Sequence, residues 1–312
     1  MTSPLPPSPL EGSLRLADWG VIRAHGPEAA SFLNSQLTQD MLSLTETQAR
    51  LAGYCSPKGR LLASFVAWRA DADTVLLACS ADLLAATLKR LSMFVLRAKV
   101  KLSDASTELA VRGLAGAAAT HALGEHAPPA AWRVGRVGTA QVVRLPDAQG
   151  VQRYLWCGPE AAVAPELGPL PPDAWAWLEV QSGVPRLTAA TVEQFVPQMV
   201  NLEALEGVNF RKGCYPGQEV VARSQYRGTL KRRSFLFEAD GPARPGQEVF
   251  HSADPAQPAG MVVNAASLDG GHAALVEIKL SALDTGSLHL GAADGPMLRR
   301  QQLPYALPQG AD

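Results

Sequence analysis

Cysteine is scarce in this chain, with four in 312 residues. Cys55, Cys79, Cys157 and Cys214 form no CxxC pair, and their spacings match no zinc ligand set. So few thiols exclude a disulfide scaffold and read as reduced cysteines in a cytosol. The six histidines are scattered without an HxxxH pair, so no structural metal is expected. Net charge is almost nil at −1, which leaves no global field to attract nucleic acid or membranes. No stretch approaches the ~18 uncharged apolar residues of a membrane span. The opening MTSPLPPSPLEGS has no basic start and no apolar run, so it does not read as a signal peptide. GxxxxGK[ST], GxGxxG after a strand, GxSxG and HExxH are all missing. P-loop, dinucleotide, hydrolase-elbow and zincin chemistries lose their easiest support.

What is present is globular. Apolar residues are 47% and charged residues 18%, and the length favours two domains. Residues 1–12 carry Pro4, Pro6, Pro7 and Pro9 and read as a mobile tail. LRLADWGVIRAHG from Leu14 reads as strands, and Gly26-Pro27 opens a helix with Ala30, Leu33 and Leu37 on one face. Residues 49–80 read as strands around the turns Pro57-Lys58-Gly59 and Asp71-Ala72-Asp73. A helix follows with Ser80 as its N-cap. Short strands are expected near 98–113, 131–145 and 151–157, and Pro172-Asp173 starts another helix. This order is α+β rather than strict βα alternation. Beyond Arg233, SFLFEAD, EVFHS, AGMVVNAAS and AALVEIKL read as an all-β unit of about 75 residues, a small barrel or sandwich. A domain boundary is expected near 230–234.

Between 183 and 233 periodicity gives way to Gly, Pro, Asn, Gln and Arg. Residues 211–233 hold Arg211, Lys212, Arg223, Arg227, Lys231, Arg232 and Arg233 against Glu219 alone, a local charge of +6. A solvated face is one reading. The other is a site for an anionic small molecule or RNA phosphate, since Gly213, Gly217 and Gly228 let backbone approach a ligand closely. Cys214 precedes a helix that Pro216 and Gly217 can open through GQEVVARSQYR. That place, beside Arg211 and Lys212, favours a thiolate, whereas a small buried residue is the competing reading. Cys55, Cys79 and Cys157 lie in apolar strand text and read as core.

Phe195-Val196-Pro197-Gln198, Asn201-Leu202-Glu203 and Lys212-Gly213-Cys214-Tyr215-Pro216-Gly217-Gln218-Glu219, then Val221-Ala222-Arg223, resemble the signature of the YgfZ family, folate-binding proteins related to the glycine-cleavage T-protein. Asp18-Trp19, the stretch from Phe32 to Asp40 and Lys58-Gly59-Arg60 agree, so the likeness runs over about 14–305. The resemblance implies two α+β lobes over 13–230 around a central folate cavity, a C-terminal β-barrel over 231–305 and a short tail over 306–312. It implies tetrahydrofolate or a derivative as cofactor, bound by Gln181, Lys212, Gly213, Tyr215, Gly217, Gln218, Glu219 and Arg223; the local charge of +6 beside three glycines predicts that residues 211–233 line that cavity. Cys214 is the candidate catalytic residue. The family supports iron–sulfur enzymes, including one that methylthiolates tRNA, so client enzymes or carriers and tRNA are the implied partners, in the cytoplasm and away from membranes. Three departures stand out. Gln181 replaces a glutamate that in the T-protein recognises the pterin, Glu206 stands where glycine is usual, and Asn34-Ser35 replaces Gln-Gly.

Three functions fit these residues: a folate-dependent accessory factor for iron–sulfur assembly or repair, an aminomethyltransferase using tetrahydrofolate, and a tRNA-binding module without chemistry. A [4Fe–4S] cluster takes four thiolates, so Cys214 alone cannot hold one. Only Tyr215 and Tyr226 lie within 211–233, which is thin for an RNA stacking platform.

Overall fold

A computed structural model describes residues 10–162, 164–226 and 230–308 of the chain. Most of the expected N-terminal tail, the end of the C-terminal one, and Arg227 and Gly228 of the basic segment lie outside the described residues. In chain order the strands are β1 Gly12–Arg15, β2 Trp19–His25, β3 Ala49–Cys55, β4 Leu61–Asp71, β5 Thr74–Ser80, β6 Lys101–Asp104, β7 Leu109–Ala115, β8 Val134–Val137, β9 Ala140–Ala148, β10 Val151–Pro159, β11 Arg232–Ala239, β12 Glu248–His251, β13 Asp254–Leu268, β14 Gly271–Lys279, β15 Leu288–Leu290 and β16 Met297–Gln301. The helices are α1 Ala29–Gln36, α2 Ala81–Ser92, α3 Gly116–Leu123, α4 Pro172–Gln181 and α5 Gln218–Tyr226.

Two antiparallel five-stranded sheets make the lobes, in the orders β3-β4-β5-β2-β6 and β1-β7-β10-β9-β8. The first is buried on both faces. Strand alternation sends Val75, Leu77 and Cys79 of β5 into one core and Leu76 and Ala78 into the other. That second core lies against the other sheet through Val111, Val143 and Leu155, and against Trp175 and Leu178 of α4. A cross-sheet hydrogen bond, Trp68 Nε1–H to Gln141 Oε1 at 2.9 Å, ties the lobes.

α2 buries Leu83, Leu84, Thr87 and Leu91 on one face. Asp82 in its first turn and Lys89 and Arg90 in its last suit the helix dipole. α3 was not foreseen. Its GAAATHAL text offers strong helix formers but almost no apolar period. Ala119 and Leu123 nevertheless seal the outer face of the second sheet against Leu114, Tyr154 and Trp156.

The remaining strands close a barrel in the order β11-β14-β13-β12-β15-β16, with β16 returning to β11. Closure removes exposed strand edges. Phe235, Phe237, Val262, Val276 and Ile278 fill it. Two ion pairs anchor its first strand: Arg232 to Glu277, and Arg233 to Glu203 at 2.6 Å with both side chains almost inaccessible. Beyond β16, Tyr305 folds back. Its hydroxyl donates to Gly183 O at 2.9 Å and accepts from Asn201 Nδ2 at 3.2 Å. No helix among the described residues is long and apolar enough to cross a membrane.

Candidate functional site

Three distant strings of sequence meet around Cys214. Thr38 is wholly buried and ties the first string to the third. Its hydroxyl donates to Gly207 O at 2.6 Å and accepts from Gly53 N–H at 2.8 Å, while its carbonyl accepts from Asn209 N–H at 2.9 Å. Asn209 Oδ1 then takes the N–H groups of Arg211 and Lys212 at 2.8 and 3.1 Å, a side-chain turn that starts the 211–217 loop. Lys212 runs back to the C-terminal end of α1, where its ammonium donates to Asn34 O and Leu37 O at 2.5 and 2.9 Å. A cation suits that end of a helix. It also lies 4.7 Å from the Tyr215 ring centre.

The second string is the turn at 56–60. Gly217 has φ +80° and Gly59 φ +71°, and the two backbones touch. A β-carbon on Gly217 would lie 2.4 Å from Ser56 O and 2.7 Å from Gly59 Cα. Gly217→Ala therefore combines left-handed strain of roughly 1–3 kcal/mol with a backbone clash. Urea unfolding should show a loss at least that large. A loss under about 0.5 kcal/mol, the scale of ordinary surface changes, would mean the 56–60 turn yields freely.

Cys214 is exposed, whereas Cys55, Cys79 and Cys157 are buried. Burial pushes the Lys212 ammonium down to about 8, against the charges of Asp40 and Cys214 that favour it. Tyr215 is buried, its hydroxyl unpaired and its ionisation pushed up by burial.

A second feature lies between the lobes. A cavity of about 40 Å3 is lined by Trp19, Trp132, Arg153, Glu179, Ser182 and Arg186, with apolar walls from both sheets. Burial raises the Glu179 carboxyl above its usual range, opposed by the guanidiniums of Arg186 and Arg153. Arg186 binds Glu179 at 3.3 Å and Asp18 at 2.5 Å and stacks 5.1 Å from the Trp19 ring centre. Burial brings Arg153 down to about 10. The donor set suits a flat, hydrogen-bonding ring: a carboxylate acceptor, an aromatic face and fixed cations. The volume, well below the ~300–1,000 Å3 of ligand pockets, does not admit one in this conformation.

The chain is 37% identical over 260 residues to the tRNA-modifying protein YgfZ of Edwardsiella ictaluri, covering 78% of this chain and 77% of that protein. It is 30% identical to the protein of the same name from Colwellia psychrerythraea, over 94% and 93% of the two chains. The chain belongs to the YgfZ family. No family model matches it. The crystal structure of the glycine cleavage system aminomethyltransferase T of Bartonella henselae superposes with a TM-score of 0.70, over 95% of this chain and 86% of that one, at 15% identity. This chain shares that protein's fold.

In this chain the residues singled out in the sequence divide. Lys212, Gly213, Cys214, Tyr215 and Gly217 share the corner described above. Gln218 opens α5, and Glu219 and Arg223 lie exposed on its outer side with Ala222 and Tyr226. None of residues 211–226 is among those lining the inter-lobe cavity, because that segment packs on α1 and the 56–60 turn instead. Gln181 ends α4 half-buried and is not in the cavity wall; Glu179 and Ser182 of the same segment are. The +6 cluster is also thinner than its sequence suggests. Lys212, Arg232 and Arg233 are engaged within the fold, leaving Arg211, Arg223 and Lys231 exposed among the described residues. Glu206 takes φ +59°, a conformation that glycine adopts without strain.

Sequence reasoning missed Arg153, Glu179 and Arg186. A signal was there: Arg153 is the lone charge in VQRYLWC, and Glu179 stands in the aromatic helix AWAWLEVQ. Charges in such apolar text are buried and partnered, or functional.

Proposed function

We propose that this protein is a folate-binding accessory factor for iron–sulfur enzymes, among them an enzyme that modifies tRNA, and that Cys214 is the group through which it acts. The observation that carries this reading is the exposed Cys214 thiol on a loop held by three separate sequence strings, beside the half-buried ammonium of Lys212. A loop fixed that firmly around one exposed thiol is built to present it. A single thiol supplies one ligand of the four a [4Fe–4S] cluster needs, so Cys214 serves as a bridge to a partner carrier, with the cluster as cargo. The inter-lobe cavity, with Glu179, Trp19 and the two arginines, supports a folate head as the bound small molecule. A bare tRNA-binding module is less favoured, because three of the seven cations in 211–233 are consumed inside the fold.

Cys214→Ser should leave the fold and tetrahydrofolate binding intact, since an exposed thiol is replaced by a near-isosteric hydroxyl. In cells lacking their own copy of the protein, the variant should restore no more methylthiolated tRNA nucleoside than an empty vector. Full restoration would remove Cys214 from the mechanism. Calorimetric titration of the same variant with tetrahydrofolate tests the folate half separately.

A further inference from the structure

The inter-lobe cavity has a neighbour. A second cavity of about 290 Å3 is lined by Gln39, Arg50, Arg133 and Glu206, and it shares two wall residues with the first, Leu51 and Trp132. Trp132 is an unusual wall. Its φ is +63°, a conformation that a bulky side chain adopts only under constraint. The constraint is visible. Its carbonyl accepts from Ala49 N–H of the first lobe at 2.8 Å, and its N–H donates to Arg144 O of the second at 2.8 Å. The half-buried indole packs against the cores of both lobes. Its backbone is thus clamped while its side chain stands between two spaces.

We propose that the two cavities are halves of one ligand site, that the Trp132 indole is the partition between them, and that Arg133 on the outer side binds the ligand's carboxylate. This rests on the folate reading above. Rotating the indole leaves both backbone hydrogen bonds untouched, because only side-chain torsions change. The joined space reaches the lower end of the ~300–1,000 Å3 that ligand pockets span. Its inner end offers the Glu179 carboxyl to a flat head with adjacent N–H donors. Its outer end offers Arg133, exposed and with no ion pair among the described residues, whereas Arg50 is held by Ser43 and Asp40. The ligand class is a planar heteroaromatic ring on a spacer that ends in a carboxylate.

The test starts without ligand. Ala78 is fully buried in the inner cavity wall, and its neighbour Cys79 faces the other core. In an Ala78→Cys protein the new thiol is titrated with methyl methanethiosulfonate, with and without Trp132→Gly. Glycine suits the left-handed backbone and removes the indole. Labelling at position 78 should rise about tenfold or more while Cys79 stays silent. If Cys79 is released too, Trp132→Leu, which keeps more of the packing, replaces glycine. Equal labelling at position 78 in a folded variant would overturn the partition.

Stopped-flow binding of tetrahydrofolate is the second arm. Trp132→Gly should associate about tenfold faster than the parent, and Arg133→Ala should bind roughly tenfold more weakly. Unchanged association in proteins that both bind would overturn the gate and spare the folate reading. No binding by either protein, with accelerated labelling, would overturn the folate reading and spare the partition.

Discussion

Iodoacetamide at neutral pH should alkylate Cys214 at least about a thousandfold faster than Cys55, Cys79 or Cys157. Two factors set that ratio, the second closing the route through the folded state. The first is access: Cys214 is exposed, and the others are 1–3% exposed. A buried thiol reacts only when its surroundings open, and full opening costs at least about 5 kcal/mol, a factor of several thousand. The second is ionisation. Burial pushes the thiols of Cys55, Cys79 and Cys157 up to about 12. Since the thiolate is the reacting form, a thiol with that value is ionised to about one part in 10^5 at pH 7. Reaction of the three therefore waits on opening, so selectivity should persist into mildly alkaline buffer. Peptide mass spectrometry over a time course reads the rates. Cys214 labelling within tenfold of Cys55 would mean the 211–217 loop is closed in solution.

Arg233→Ala should cost about 3–5 kcal/mol of stability, the usual penalty for stripping one partner from a buried ion pair. Arg233 meets Glu203 at 2.6 Å and Asn201 Oδ1 at 3.1 Å, and the two charged side chains are 2% and 3% exposed. Burial already raises the Glu203 carboxyl, and the Arg233 charge opposes that rise most, with the hydrogen bond from Arg233 and the backbone N–H groups of Glu203 and Ala204 adding to it. Without the guanidinium the folded-state value climbs further above the unfolded one. A group raised in the folded state contributes its stability below its unfolded pKa and loses it as pH rises through the folded one. The deficit of Arg233→Ala should therefore shrink in acid and be full at neutral pH. Adding Glu203→Gln should recover most of the loss, because the orphaned charge is gone. Urea unfolding of the single and double variants at two pH values checks this. A neutral-pH deficit under about 1 kcal/mol would show that water reaches the pair.

The sequence carried the α+β character and the all-β C-terminal unit because both rest on local signals, whereas a barrel rather than a sandwich was implied only by the family resemblance. Apolar strand text runs through 49–80 and again beyond Arg233, and turns punctuate it. The Cys214 loop was legible for a different reason: its residues form one continuous string. α3 was not legible, because alanines leave no apolar period. The destinations of the charges were hidden as well. Lys212 reaches a carbonyl 178 residues earlier, and Arg233 meets Glu203 across the join between barrel and lobe. A run of basic residues in the text does not say which of them the fold will consume. The cavity is assembled from both sheets and α4, and Trp132 becomes its wall only through a left-handed backbone that nothing in the text requires.

The return of Tyr305 to Gly183 has a consequence for how the molecule is made. Gly183 has φ +65° and no room for a side chain beside the Tyr305 ring, and its carbonyl takes the tyrosine hydroxyl. The segment so fastened, 182–186, forms part of the cavity wall. The tyrosine leaves the ribosome 122 residues after the glycine it fastens. The lobes can gather while the barrel is still being synthesised, but the latch on 183 closes only after β16 has been made. A chain cut just past β16 would then hold lobes and barrel with that wall unfastened, so the cavity takes its final shape only after the barrel that lies beyond it in sequence.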